Sequence, residues 1–310
     1  MNGILNINKP QGKTSYDIVA VVKRLSGEKR VGHAGTLDPL ASGILPVCLG
    51  QGTRVIEYLA DATKTYCAQV LLGIVTDTYD AEGTVTERQD PSHVSREQVA
   101  LALNSFRGKI QQVPPMYSAL KHKGRPLYRL ARSGTEIERA SRPVEIHRLN
   151  LLDWQPPVVT VEVECSKGTY IRSLAYDLGQ LLGCGASLKN LLRTRYGPFN
   201  LEDAVSLPEL EDAFRYGYWQ SLVYPLDAVL LNYRAVVVDE VMGRSIKNGN
   251  PLVLDKIESG QDISINQPAA TTGAGVVERC RVYSQDGCLL ALLRYEPEKG
   301  HWRPEKVFGM

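Results

Sequence analysis

The sequence predicts an α+β fold in two parts, a large one over residues 1–229 and a small β domain over residues 230–310. Three observations carry this. At 310 residues the chain exceeds the roughly 250 to 300 at which a single hydrophobic core stops growing. Up to about residue 229, stretches of period-two alternation are interleaved with stretches of helical period. After Pro225-Leu226-Asp227 only short strand-like runs separated by turn residues remain.

Taken in order, Ile4 to Asn8 is a short apolar run closed by the turn Lys9-Pro10-Gln11-Gly12. Thr14-Ser15 caps a helix whose apolar positions Ile18, Val19, Val22 and Leu25 share one face, and Gly27 ends it. Gly32 to Gly52 is a glycine-punctuated loop and apolar strand. Lys64 to Gly73 follows, with Tyr66, Ala68, Val70 and Leu72 alternating. Ser95-Arg96-Glu97-Gln98 opens a helix to Phe106 with a capping-box pattern. The segment after Pro114-Pro115, with Gly124, Pro126, Gly134 and Pro143, reads as an exposed excursion at about residues 114–148. Val158 to Cys165 alternates as a strand. The helix after Ser166-Lys167-Gly168 buries Ile171, Leu174, Ala175 and Leu178 and ends at Gly183. In the last part, Ala235 to Val238, Pro251 to Leu254, Arg281 to Tyr283 and Leu289 to Arg294 read as strands, and residues 256–275 as a mobile loop.

Hydrophobic residues at 43% and charged residues at 23% are the mixture of a soluble globular chain, which excludes a disordered tail or a membrane protein. No apolar run approaches the roughly 18 residues of a membrane span, and Met1 to Asp17 lacks the apolar stretch of a secretion signal, so a cytoplasmic protein without membrane contact is expected. The six cysteines (48, 67, 165, 184, 280, 288) form no C-x-x-C pair and have no histidine at ligand spacing. Reduced structural thiols are expected, with no metal.

A net charge of +2 by itself predicts no nucleic-acid partner, but the charge is unevenly distributed along the chain. The window 121–148 holds Lys121, Lys123, Arg125, Arg129, Arg132, Arg139, Arg142 and Arg148 against three glutamates, a local +5 that leaves the rest of the chain at −3. Such a stripe either grips phosphates or is a solvated face.

Two residues invite a chemical reading. Asp38 is the one carboxylate in the otherwise uncharged run from Gly32 to Gly52. It needs a cation or hydrogen bonds if it is desolvated, or it merely opens an Asp-Pro turn. Arg172 falls in the first turn of its helix, where a cation opposes the helix dipole. A nearby carboxylate or phosphate would compensate it, unless it is an ordinary surface arginine.

The order and spacing of several motifs settle which reading to follow. Gly32-His33-Ala34-Gly35-Thr36-Leu37-Asp38-Pro39-Leu40-Ala41-Ser42-Gly43 is preceded by Asn6-Ile7-Asn8-Lys9-Pro10. It is followed by Lys167-Gly168-Thr169-Tyr170-Ile171-Arg172 and Arg193-Thr194-Arg195. Over most of residues 1–230 this resembles the TruB family of tRNA pseudouridine synthases. The resemblance implies a catalytic domain on a mixed, mostly antiparallel sheet and, more weakly through Arg294 to Phe308, a C-terminal PUA-like β-barrel that binds RNA.

It also implies that Asp38 is the nucleophile that converts uridine 55 in the tRNA T-loop to pseudouridine, and that Arg172 pairs with it. Tyr66 would stack on the target base, and His33 would enter the T-loop in place of the extruded nucleotide. Tyr170 and Leu191 would line the uracil pocket, with Lys9 near the site in no stated role. The basic excursion, with Lys121, Lys123, Arg125, Arg129 and Arg132, corresponds to an insertion that holds the T-arm backbone in members working without a guide RNA, and residues 256–275 look like a second insertion. No cofactor is expected for an isomerisation, and a monomer is expected. The competing readings are a synthase acting on another RNA, which Thr36-Leu37-Asp38 disfavours, a T-arm-binding tRNA folding factor, and an RNA-binding protein with a vestigial site.

Overall fold

A computed structural model describes residues 1–252 and 278–309. The chain opens with an apolar strand, β1 (Gly3–Lys9), and enters α1 (Ser15–Ser26). The Thr14 hydroxyl accepts from the Asp17 N–H at 3.1 Å and the Asp17 carboxylate accepts from the Thr14 N–H at 2.8 Å, while Gly27 closes the helix at φ 67°. Next come β2 (Val31–His33), β3 (Ala41–Leu49), α2 (Ile56–Ala60) and β4 (Lys64–Leu72). The hairpin β5 (Ile74–Thr76) and β6 (Val85–Arg88) leads to α3 (Arg96–Asn104), which begins with the expected Ser95/Gln98 capping box.

β7 (Gly108–Gln112) ends where the basic segment begins. That segment holds the two-residue strands β8 (Lys121–His122) and β9 (Arg125–Pro126) and the short helix α4 (Leu127–Arg132). β10 (Arg142–Gln155) and β11 (Val158–Cys165) are an antiparallel pair, so the chain has re-entered the sheet by Arg142. Arg148, counted with the basic stripe, lies in that strand at 3.2 Å from Glu162 and 3.5 Å from Glu164. α5 (Ile171–Leu182), β12 (Ala186–Tyr196), β13 (Phe199–Asn200), α6 (Leu207–Tyr216) and β14 (Val223–Tyr224) complete this part.

These strands form one mixed sheet in the order β14-β1-β3-β12-β4-β11-β10-β7, with β2 on β3 and β13 on β12. Along that order every pairing is antiparallel except β3 with β12. The expectation of a mixed, mostly antiparallel sheet therefore holds. Period-two alternation decides which face is buried: Tyr66, Ala68 and Val70 of β4 lie opposite Val163, Val161 and Val159 of β11, all buried. The apolar faces of α5 (Ile171, Leu174, Ala175, Leu178) and α3 (Val99, Leu103) cover them. Each valine, leucine or isoleucine among them contributes about 1.5–3 kcal/mol on burial.

The C-terminal part departs from the expected barrel. β15 (Arg234–Val238), α7 (Glu240–Lys247), β16 (Arg279–Ser284), β17 (Leu289–Glu296) and β18 (His301–Val307) form an open sheet in the order β15-β16-β17-β18 with a helix beside it. Among the described residues nothing joins β15 to β18, and the outer edge of β18 carries a single bridge, Trp302 to Leu252. The physical reason is that both faces of this sheet are already covered. Ala291 and Leu293 pack with Ile246 of α7 on one side, and Leu292 packs with Phe308, Ile4 and Cys48 on the other. Closing on itself is one way for a sheet to bury an apolar face, and packing on neighbouring layers is the other. The loop expected at residues 256–275 lies outside the described residues. No helix among them is long and apolar enough to cross a membrane.

Candidate active site

The parallel seam of the large sheet, β3 against β12, sets the position of the site. Leu191 lies opposite Ala41 and Arg193 opposite Gly43, and across the other edge of β12 Arg193 meets Tyr66. Gly43 allows the close approach: with φ at 98°, a Cβ there would sit 2.3 Å from the Arg193 carbonyl oxygen. Asp38 stands just before β3 in a turn tied down from three directions. The Ser15 hydroxyl accepts from the Leu37 N–H at 2.9 Å and lies 3.0 Å from the Leu37 carbonyl as its donor. The Gly12 N–H donates to the Pro39 carbonyl at 2.8 Å. The Lys9 ammonium, fully buried, donates to the Lys13 and Pro10 carbonyls at 2.6 and 3.0 Å and reaches that of Pro39 at 3.5 Å. Lys9 thus lies beneath the turn, outside the cavity lining, and burial, opposed by the nearby Asp38 charge, lowers its pKa to about 8.

Arg172 occupies the first turn of α5, where its charge opposes the helix dipole, and the compensating groups are present. Its Nε lies 3.0 Å from Asp38 Oδ2 and its Nη1 3.4 Å from Asp80 Oδ2. Nη1 and Nη2 also donate to the carbonyls of Thr78 and Tyr117 at 3.4 and 2.7 Å. One buried guanidinium is therefore shared by two carboxylates. Asp80, 3% exposed, is fixed in turn through Oδ1, which accepts from the Thr78 hydroxyl at 2.6 Å and the Glu82 N–H at 3.1 Å. The Asp38 side chain is 39% exposed, open to the cavity at its floor. Its shielding from bulk water pushes its pKa above the ordinary carboxylate range, Arg172 opposes that, and the Asp80 charge adds to it.

Asp80 was invisible in the sequence, because Thr76-Asp77-Thr78-Tyr79-Asp80 reads as a polar turn and its partner is 92 positions away. Arg193 stood in a quoted motif without a role. It is 1% exposed and donates to the carbonyls of Ile44 and Gly35 at 2.7 and 2.9 Å, bracing the turn from the far side.

A cavity of about 680 Å³ opens over Asp38. It gathers Asp38, His33, Tyr66, Tyr170, Arg172 and Leu191, the expected catalytic and base-contacting residues apart from Lys9, and its volume is in the range of small-molecule pockets. Tyr66 is 7% exposed; burial raises its pKa, so it is a neutral phenol at pH 7. Burial and the Arg193 charge lower the pKa of His33, whose Nδ1 is buried without a hydrogen-bond partner, so its imidazole is neutral. Tyr170 is held through its backbone, which donates to the Gln112 side-chain oxygen at 2.8 Å and accepts from its amide at 3.0 Å.

Of the basic stripe, only Arg132 lines the cavity, together with Tyr128, over whose ring its guanidinium lies at 5.7 Å. Lys121, Lys123, Arg125 and Arg129 are exposed and do not line it. Among the described residues no group of three or more His, Cys, Asp or Glu side chains is placed to hold a metal ion. All six cysteines are free thiols, with Cys48, Cys165, Cys184 and Cys280 buried.

Comparison with known proteins agrees with this geometry. Residues 23–171 match the model of the TruB family pseudouridylate synthase N-terminal domain, and residues 172–237 that of the tRNA pseudouridylate synthase B C-terminal domain. The chain is 44% identical over 308 residues to the tRNA pseudouridine synthase B of Dehalococcoides mccartyi strain BAV1, covering 99% of this chain and 97% of that one. It is 42% identical to that of Clostridium tetani over 279 residues, 89% of this chain and 95% of that one. Among solved structures, a chain in the crystal structure of a Cbf5-Nop10-Gar1 complex superposes with a TM-score of 0.73 at 25% identity, over 99% of this chain and 85% of that one.

Proposed function

This chain belongs to the TruB family of pseudouridylate synthases, and on that premise we propose that it isomerises uridine 55 in the T-loop of tRNA with Asp38 as nucleophile and without a guide RNA. The protein is a pseudouridine synthase acting on tRNA. The observation that carries the assignment of roles is the Asp38–Arg172 pair at 3.0 Å on the floor of a cavity walled by Tyr66, Leu191 and Tyr170.

In the reaction the N1–C1′ bond breaks, a C5–C1′ bond forms, the C5 proton leaves and N1 gains one, so the composition is unchanged. Asp38 attacks the uracil or its sugar, dividing one high barrier into two lower ones. Arg172 orients the carboxylate and favours its ionised form through the ion pair between them. Tyr66 presents a neutral ring against which the base rests while it turns. The nucleotide must leave its stack to reach this floor, at about a few kcal/mol, and the neutral imidazole of His33 compensates by stacking in the gap. Lys121, Lys123, Arg125, Arg129 and Arg132 hold the T-arm backbone, which makes binding salt-dependent. The division near residue 229, an RNA-binding role for the C-terminal sheet, a monomeric state and a cytoplasmic location belong to the same proposal.

The test is incubation of the purified protein with an unmodified tRNA transcript in EDTA, followed by mapping of pseudouridine at single-nucleotide resolution. Product at the T-loop uridine, absent with Asp38→Asn while tRNA affinity stays within a few-fold, is the expected result. Tight binding without product from the parent protein would move the function to T-arm binding and tRNA folding.

A further inference from the structure

We propose that Tyr16 is a stacking platform for a nucleobase adjacent to the target nucleotide, an inference that rests on the RNA-modifying reading of the cavity. Tyr16 sits in the first turn of α1, is 76% exposed and contributes to the lining of the cavity over Asp38. Isolated exposed aromatics are ordinary on protein surfaces. Tyr216, 72% exposed at the end of α6, does not line that cavity. Tyr16 differs in where it stands and in how it is mounted.

The mounting is rigid. Ser15, its neighbour, is 2% exposed and bonds both the N–H and the carbonyl of Leu37, the residue before Asp38. The capping box of Thr14 and Asp17 fixes the same turn of helix from the other side. The backbone of Tyr16 therefore stays in register with the nucleophile, and only the torsions of its side chain are free. A ring with two such torsions gives a large contact area at low entropic cost.

The ligand chemistry follows from the geometry of access. A nucleotide inserted to the floor of the cavity forces its neighbours on the strand to cross the mouth with their bases unstacked. Every base presents a π-face, and an aromatic side chain recovers part of the lost stacking whatever the sequence, on the order of tenfold in affinity per base. The ring is the functional part, so the hydroxyl is dispensable.

The experiment combines kinetics on an unmodified tRNA transcript with fluorescence of T-arm hairpins carrying 2-aminopurine on the 5′ or the 3′ side of the target uridine. Tyr16→Ala is expected to raise KM about tenfold with kcat changed far less, and to remove quenching at one of the two labelled positions. Tyr16→Phe should restore both, and Tyr16→Leu neither, with thermal melting confirming that all three variants fold. Unchanged KM and quenching in Tyr16→Ala, or full rescue by Leu, would overturn the platform while leaving the synthase assignment intact. Tyr16-dependent quenching without any pseudouridine from the parent protein would leave the platform standing and remove the catalytic reading; an absence of both binding and product would remove both.

Discussion

Arg172 and Arg129 carry the same guanidinium, one sealed under the cavity floor against two carboxylates and two carbonyls, the other in solvent on the short helix α4. The buried one is held by the protein before any RNA arrives, in a setting where water screens little, so small displacements of it change the chemistry. The exposed one is screened by salt, and on the proposed reading it is positioned by the RNA backbone and sets affinity and its ionic-strength dependence. Under the proposed roles, burial rather than residue type separates catalysis from grip.

Asp80→Asn puts the strongest strain on this distinction. With one carboxylate removed from the shared guanidinium, Arg172 is expected to shift toward Asp38 and to displace the proposed nucleophile. Single-turnover kinetics should show the rate falling about 10- to 100-fold with tRNA affinity nearly unchanged. An affinity loss as large as the rate loss would show that the buried network also serves binding. The complementary change, Arg125→Glu with Arg129→Glu, should weaken tRNA binding about tenfold or more and lower the slope of log affinity against log salt by roughly 1 for each phosphate that is no longer neutralised. The single-turnover rate at saturating enzyme should stay close to that of the parent.

The smallest expected effect concerns pH. Shielding at the cavity floor raises the folded-state pKa of Asp38 above its unfolded value of about 3.9. Folding then favours the protonated carboxyl, and the stability it contributes is present below the unfolded pKa and lost as pH rises through the folded one. Asp38→Asn should therefore melt at or slightly above the parent temperature at pH 7, with the difference closing toward pH 4. Activity should run the other way and fall as pH drops through the raised pKa, because the nucleophile must be ionised. A lower melting temperature for Asp38→Asn at neutral pH would mean that the pair with Arg172 outweighs the desolvation.

Local rules made some elements legible and hid others. α1 and α3 carried capping boxes, α5 a terminal Gly183, and all three an apolar face, signals that act without reference to the rest of the chain. β11 alternates along its whole length and β4 from Tyr66 onward, because one face of each is more deeply buried there. β12 went unread: Ala186–Tyr196 has no simple alternation, and its buried Arg193 looks like a surface residue until the carbonyls of Ile44 and Gly35 are seen around it. α7 was missed because an internal glycine breaks its pattern, although Asp239 caps it. Of the C-terminal strands β15, β16 and β17 were recognised and β18 was not, Pro251 to Leu254 lies partly outside the described residues, and the barrel was not formed, since which layers cover a sheet depends on elements far away in sequence.

By itself the sequence determined both ends of α1, the start of α3 and the end of α5, the faces of the regular strands and, through its motifs, the identity of Asp38, Tyr66 and Arg172 as residues to bring together. Tertiary structure alone decided that Asp80 shares the guanidinium of Arg172, that Lys9 supports the Asp38 turn from below, and that Arg132 is the member of the basic stripe that reaches the cavity. The physical reason is that propensity and capping act over a few neighbouring residues, whereas the strength of a charge depends on distance and on exclusion of water. Both are created only when segments far apart in the chain close over the same point.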